Sequence, residues 1–456
     1  MKNNRNINRR SFLKVFGAGA AVSAAAFAGC TSRKPESSEG TAKGEVPTDR
    51  MTYRTGPVTG EKVSLLGYGC MRLPRRPKTN GEDGDEIDQQ TVNELTDYAL
   101  AHGINYFDTS PVYCQGLSER AMGIALNRHS RESYLLATKM SNMHTFDRES
   151  SLRMYEDSFK ELQTDYFDYY LVHAVGNYEK YKARYLDNGI LDFLLKEREA
   201  GRIRNLGWSF HGEKEFFDYM MYESGVKWDF VQIQLNYFDW KHASGNNVPA
   251  EYLYGVLEKL NVPAIIMEPL LGGRLANPNY KAQEMLKTAA PGASSASWAF
   301  RFAGTPRGVL TVLSGMTYME HLQDNIRTLS PLVPLDDNEK MMLERVALTM
   351  LEFENIKCTA CQYCMPCPYG LDIPSIFAHY NKCLDEGSFP VGMQDEEYRK
   401  ARRNFLIGYD RKVPRMRQAS HCIGCGLCVQ SCPQYIQIPE EMRKIDRFVE
   451  ELKTNA

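Results

Sequence analysis

Residues 89–110 read QQTVNELTDYALAHGINYFDTS. The first part sets apolar residues three and four positions apart and stops on Gly103, the pattern of an amphipathic helix with a glycine at its C-terminal end. The second part, INYFDTS (104–110), is a short apolar run that closes on polar residues, the pattern of a buried strand whose end reaches a surface. A helix followed directly by such a strand is half of a repeating β/α unit.

The same alternation runs outward in both directions. Apolar strand-like runs recur as VSLLGYG (63–69), SYLLATK (133–139), FDYYLVH (167–173), IRNLGWS (203–209), FVQIQLN (230–236), PAIIMEP (263–269) and GVLTVLS (308–314), with helical periodicity between them. Counting INYFDTS, eight units fall within residues 51–330, and each strand is apolar on both faces. That argues for a closed (β/α)8 TIM barrel over an open sheet, an α/β fold. The leading MTYRTGPVTGEKVS (51–64) predicts a small hairpin across the barrel floor.

Polar residues sit where such a barrel gathers its chemistry, at the C-terminal ends of the strands. Asp108, Lys139, His173 and Ser209 close four consecutive strands, and Tyr113 lies in the loop after Asp108. A lysine cation beside a tyrosine favours the phenolate, an aspartate holds the lysine charged, and a histidine can donate a hydrogen bond to the same carbonyl oxygen. Alone, each would read as a satisfied structural polar residue. Together they form a proton-handling set.

GINYFDTSPVYCQGLSERAMG (103–123), with LLATK and YYLVH after it, resembles the strand, loop and helix signature of the aldo-keto reductases, and the resemblance covers residues 52–330. It implies Tyr113 as general acid, Lys139 and Asp108 tuning it, and His173 orienting the carbonyl of a small-molecule carbonyl or alcohol substrate. It also implies NAD(P) as cofactor, with Ser209, Gln232 and Asn236 at the nicotinamide carboxamide and Gly315 at the phosphate end. Two stretches depart from the family. IIMEPLLGG carries Met267 and Glu268 where many members stack a tyrosine on the nicotinamide, and SGMTYMEHLQDNI offers Gly315 and His321 where NADP-preferring members present Lys and Arg. A flavin or quinone-like partner therefore stays open beside the nicotinamide.

Residues 356–456 are a different object. CIGCGLCVQSCP places Cys422, Cys425, Cys428 and Cys432 at the spacing of a bacterial [4Fe-4S] ligand run, in which the cysteine before proline usually serves the other cluster. CTACQYCMPCP repeats it with Cys358, Cys361, Cys364 and Cys367, one residue shorter before the last cysteine. Zinc is the competing reading of any C-x2-C pair, but it favours two pairs over a triplet followed by Cys-Pro. Two [4Fe-4S] clusters are expected. IPSIFAHYNKCLDEG (373–387) and DEEYRKARRNFLIGY (395–409) are helical in pattern, so the segment resembles a small all-helical ferredoxin domain; residues 331–355 read as a helical connector. Cys70, Cys114 and Cys383 read as core or loop thiols, Cys114 with a possible influence on the pocket through its neighbour Tyr113.

The opening RRSFLKVFGAGAAVSAAAFAGC (9–30) has the charged, apolar and small-residue regions of an export signal. Its Arg9-Arg10 pair resembles a twin-arginine signal, and FAGC (27–30) resembles a lipoprotein cleavage box that would leave a lipid on Cys30; Ala26-Phe27-Ala28 also suits ordinary cleavage. Residues 31–50 read as a disordered tether. A twin-arginine route carries folded cargo, which suits a protein whose clusters must be built before it leaves the cytoplasm. The expected location is periplasmic or otherwise extracytoplasmic, with the membrane reached through a lipid on Cys30. A formal net charge of -2 without a basic block argues against nucleic acid. Two functions follow: a carbonyl and alcohol oxidoreductase whose electrons pass through the clusters to a redox partner, or an electron-transfer or binding protein whose barrel has lost catalysis.

Overall fold

The computed structural model describes residues 45–78, 85–143, 145–243, 245, 247–391 and 397–454. The export signal, Cys30 and most of the expected tether lie outside the described residues.

Twelve strands are described. β1 (Tyr53–Thr55) and β2 (Lys62–Ser64) pair antiparallel as the hairpin expected from residues 51–64. It seals the barrel floor: Val63 joins the barrel's interior cluster, and the Tyr169 hydroxyl donates to the Glu61 carboxylate at 2.5 Å. β3 (Leu66–Gly69) opens the barrel. β4 (Arg75–Pro77) and β5 (Asp85–Ile87) form a second hairpin that the sequence pattern does not announce. The other barrel strands are β6 (Tyr106–Asp108), β7 (Leu135–Met140), β8 (Phe167–Val175), β9 (Ile203–Phe210), β10 (Phe230–Gln234), β11 (Ala264–Met267) and β12 (Val309–Ser314).

The eight barrel strands are parallel and close as β3-β6-β7-β8-β9-β10-β11-β12, β12 pairing back to β3. Each matches one of the eight expected runs. The interior is filled by Tyr106, Tyr169, Leu171, Phe230 and Ile265, with Tyr169 packed edge-on against both Tyr106 and Phe230. The barrel is thus a packed core with chemistry only at its upper rim. The helix Gln89–Ala101 begins on Asp88, whose carboxylate accepts from the Thr91 amide, and ends just before Gly103 at φ +85°, where a side chain would be strained.

The helix Asp337–Leu351 lies within the expected connector and starts with a reciprocal Asp336 and Glu339 capping box. It shares an apolar cluster with Tyr237, Phe238 and Trp298 of the barrel, so it ties the last residues to the barrel as well as joining them. Beyond it the described residues hold no strand. The helices Ile373–Asp385, Tyr398–Lys412 and Ile438–Thr454 enclose a separate core around Phe377, Phe405 and Met442, against which cysteines of both runs pack. Among the described residues, no helix is long and apolar enough to cross a membrane.

Candidate active site

The polar strand ends converge as expected. β7 places Lys139 fully buried, and its ammonium donates to Asp108 Oδ1 at 2.5 Å and to the Thr109 carbonyl at 2.8 Å. Burial pushes the Asp108 carboxyl up, against the pull of Lys139. On β8, His173 Nδ1 pairs with the Ser141 hydroxyl at 2.6 Å, which in turn meets Ser110 at 2.7 Å. Burial, then the charges of Lys139 and Arg184, hold His173 well below the ordinary imidazole range, so it is neutral at physiological pH. The Tyr113 ring stands edge-on to His173 at 5.9 Å and under the Lys139 ammonium at 5.2 Å.

Tyr113 departs from expectation in one respect. Its phenol is raised well above the ordinary value, first by burial and then by Tyr363, where Lys139 alone would lower it. The Lys139 charge is spent on Asp108 and Thr109, so it does not dominate at the phenol. The result is a tyrosine that keeps its proton at neutral pH and can donate it.

Sequence reasoning missed the residues that hold this arrangement. Arg184 donates to the His173 carbonyl at 2.7 Å and Tyr185 donates to the Met140 carbonyl at 2.8 Å, fixing the ends of β8 and β7. Their signal was absent because both belong to a short π-helical segment, Lys182–Leu186, outside any strand end.

The residues expected around a nicotinamide are near one another but already engaged. Gln232 faces Ser209 across the β9–β10 pairing and donates its amide to Asp108 Oδ2 at 3.3 Å. The Ser209 hydroxyl accepts from the Ala174 amide at 2.7 Å. Asn236 donates to Asp239 at 2.8 Å and to the Glu268 carbonyl at 3.0 Å, while its oxygen accepts from the Phe238 and Asp239 amides. Gly315 lies against the stem of Arg72, which a Cβ there would meet at 3.2 Å. Of these groups, the Gln232 amide and both ends of Asn236 are committed within the protein.

The cysteine-bearing segment reaches this rim directly. Arg72 passes over Gly315 and donates to the carbonyl of Thr359, between Cys358 and Cys361, at 2.6 Å. A Cβ on Gly272 would fall 2.4 Å from Thr359 Cα, so this approach requires glycine. Gln434, two residues after Cys432, donates to Gln234 at 3.2 Å, and the Tyr435 hydroxyl donates to the His211 carbonyl at 3.3 Å. Tyr363, between Cys361 and Cys364, acts on the Tyr113 phenol and helps to push it up. Glu268, the departure noted after β11, is half-buried, accepts from the Gly272 amide at 2.5 Å and is pushed up by desolvation against the pull of Arg72.

The eight cysteines of the two runs sort into two crossed groups. Cys432 of the second run faces Cys358, Cys361 and Cys364 of the first, and Cys367 of the first faces Cys428, which neighbours Cys422 and Cys425. The first group lines a small cavity with apolar walls from Ile373, Phe377, Ile436 and Ile438. Burial first, then Glu268 and the neighbouring thiols, push Cys361 up to about 12, a repulsion that a cationic core relieves. The Thr359 hydroxyl lines the same cavity and has no hydrogen-bond partner among the described residues, so it is available to a cluster sulfur. Thiols spread around a cavity suit an iron-sulfur cube.

Comparisons with known proteins agree with this division. The model of the aldo/keto reductase family matches residues 65–347, and that of a 4Fe-4S dicluster domain matches residues 357–438. Protein tas of Escherichia coli is 32% identical over 189 residues, 35% of this chain, and the match spans about half of that relative, 52%. L-galactose dehydrogenase of Arabidopsis thaliana is 25% identical over 64% of this chain and 92% of its own. An aldo-keto reductase from Klebsiella pneumoniae, solved in complex with NADPH, superposes with a TM-score of 0.52 at 20% identity, covering 65% of this chain and 96% of its own. With a family match over more than half its length, this chain belongs to the aldo/keto reductase family, and it carries a 4Fe-4S dicluster domain after the barrel.

Proposed function

We propose that the protein interconverts a small-molecule carbonyl and its alcohol at the Tyr113 site, with electrons carried by two [4Fe-4S] clusters. Cys358, Cys361, Cys364 and Cys432 would hold the first, and Cys422, Cys425, Cys428 and Cys367 the second. When bound, such clusters supply one-electron transfer. Tyr113 holds the proton that the carbonyl oxygen receives, neutral His173 donates a hydrogen bond to that oxygen, and the Lys139 and Asp108 pair fixes the field beneath them. The observation that carries this reading is the docking of the first cysteine run on the barrel rim, where Arg72 donates to the Thr359 carbonyl at 2.6 Å and Tyr363 acts on the Tyr113 phenol. The twin-arginine stretch and Cys30 support export in the folded state and a lipid anchor.

Cys432→Ser tests the reading. The variant should keep the second cluster and the folded barrel but lose carbonyl turnover supported by a reduced one-electron donor. Full turnover in a variant with only one cluster would refute it.

A further inference from the structure

Four residues of the cysteine-bearing segment close the barrel rim from one side to the other. Thr359 covers Gly272 and Arg72, Tyr363 meets Tyr113, Gln434 meets Gln234, and Tyr435 meets His211. Beneath them, the amide of Gln232 and both polar ends of Asn236 are bonded within the protein. A hydride donor must be gripped by those same amides, and here the Gln232 amide and both ends of Asn236 are committed within the protein.

Resting on the carbonyl chemistry proposed above, we infer that the segment around Tyr363 stands in the place of a nicotinamide, that electrons enter this barrel singly, and that its substrate is a quinone. The chemical argument runs from the number of electrons per step. An isolated aldehyde or ketone that takes up one electron becomes a radical of very high energy, so such carbonyls are reduced by hydride. A quinone spreads the unpaired electron over its ring and both oxygens, so it accepts electrons one at a time. The balance is quinone plus two electrons and two protons giving hydroquinone. Two O–H bonds form, no bond to carbon forms, and the ring becomes aromatic.

The residues suit each requirement. The buried phenol of Tyr113 keeps a proton for the first oxygen, and His173 stands beside it. Tyr363 lies in the chain between Cys361 and Cys364 and acts on both Cys361 and the Tyr113 phenol, so an aromatic residue links the first thiol group to the acid group. The electrons come from a reduced iron-sulfur or haem protein, for which Cys425, exposed on the second group, gives an entry side. Tyr363 is therefore a positioning residue for the acid group.

The test uses anaerobic holoprotein with its clusters intact. Calorimetric titration with NADPH and NADH should give no binding up to about 1 mM. Holoprotein reduced with dithionite and freed of excess should regain its oxidised visible spectrum on mixing with a water-soluble benzoquinone, one quinone per two electrons, and should not do so with propanal. Tyr363→Phe, which keeps the ring and loses the hydroxyl, should slow that recovery at least about tenfold while leaving iron content unchanged. Micromolar binding of NADPH, or NADPH-driven reduction of propanal, would overturn the inference and leave carbonyl chemistry at Tyr113 standing. Quinone recovery indifferent to Tyr363→Phe would mean adventitious cluster oxidation and would also overturn it. Inertness toward both quinone and propanal would remove the proposed function itself.

Discussion

Tyr363, set between Cys361 and Cys364, lies close enough to Tyr113 at the barrel rim to push its phenol up. One contact thus joins the thiol group of the C-terminal domain to the proton donor of the barrel. It gives the two halves of the chain a single site, and the predictions below separate what each half contributes.

The crossed arrangement of cysteines predicts reciprocal losses. Cys367→Ser, although in the first run, should disturb the second cluster, and Cys432→Ser should disturb the first. Iron analysis should fall from about eight to about four per chain in each case, and electron paramagnetic resonance should lose different signals. The same signal lost in both variants would contradict the crossing.

The Lys139 and Asp108 pair is buried, with both side chains almost inaccessible. Asp108→Asn removes the counter-charge and strands the ammonium, which should cost about 3 to 5 kcal/mol in denaturant unfolding. Adding Lys139→Met should recover much of that loss, because no unpaired charge is left. Additive losses would show that the two side chains do not act as a pair.

Glu119 predicts a pH dependence of opposite sign to an ordinary surface carboxylate. Buried against Thr138 and Ser158, its carboxyl is raised from 4.5 to about 7, chiefly by burial. Between those values the folded protein keeps a proton that the unfolded chain has released, so stability falls as pH rises through the window and levels off above it. The span is at most about 3 kcal/mol. Glu119→Gln should flatten this slope and raise the melting midpoint above pH 7; an unchanged slope would assign it elsewhere.

Replacing Arg9 and Arg10 by Lys should leave the protein in the cytoplasm with its clusters intact, as fractionation and the visible spectrum would show. Cys30→Ser should release it from the membrane fraction. Normal export of the first variant, or membrane retention of the second, would refute the corresponding assignment.

The barrel was legible because its eight strands are apolar runs with a fixed rhythm, and the proton-handling set because its members close consecutive strands. The β4–β5 hairpin was not, since Arg75, Arg76, Pro77, Asp85 and Glu86 carry neither alternation nor strand propensity. The rim closure was illegible for another reason. Thr359, Tyr363, Gln434 and Tyr435 look like filler between cysteines, and only folding brings residues some 200 positions apart, such as Gln234 and Gln434, within hydrogen-bonding distance. The raised phenol of Tyr113 follows from the same closure: a Lys-Tyr-Asp pattern foretells an acidified tyrosine only where the tyrosine is open to water.

The most direct measurement is single-turnover stopped-flow spectroscopy of pre-reduced holoprotein mixed with its carbonyl substrate, comparing the wild type with Tyr113→Phe. Loss of the phenolic proton should slow reoxidation of the clusters by about 10² to 10⁴-fold while substrate affinity and iron content stay the same. Reoxidation at the wild-type rate in Tyr113→Phe would contradict the account, because it would mean that the electrons of the C-terminal domain never reach the barrel site.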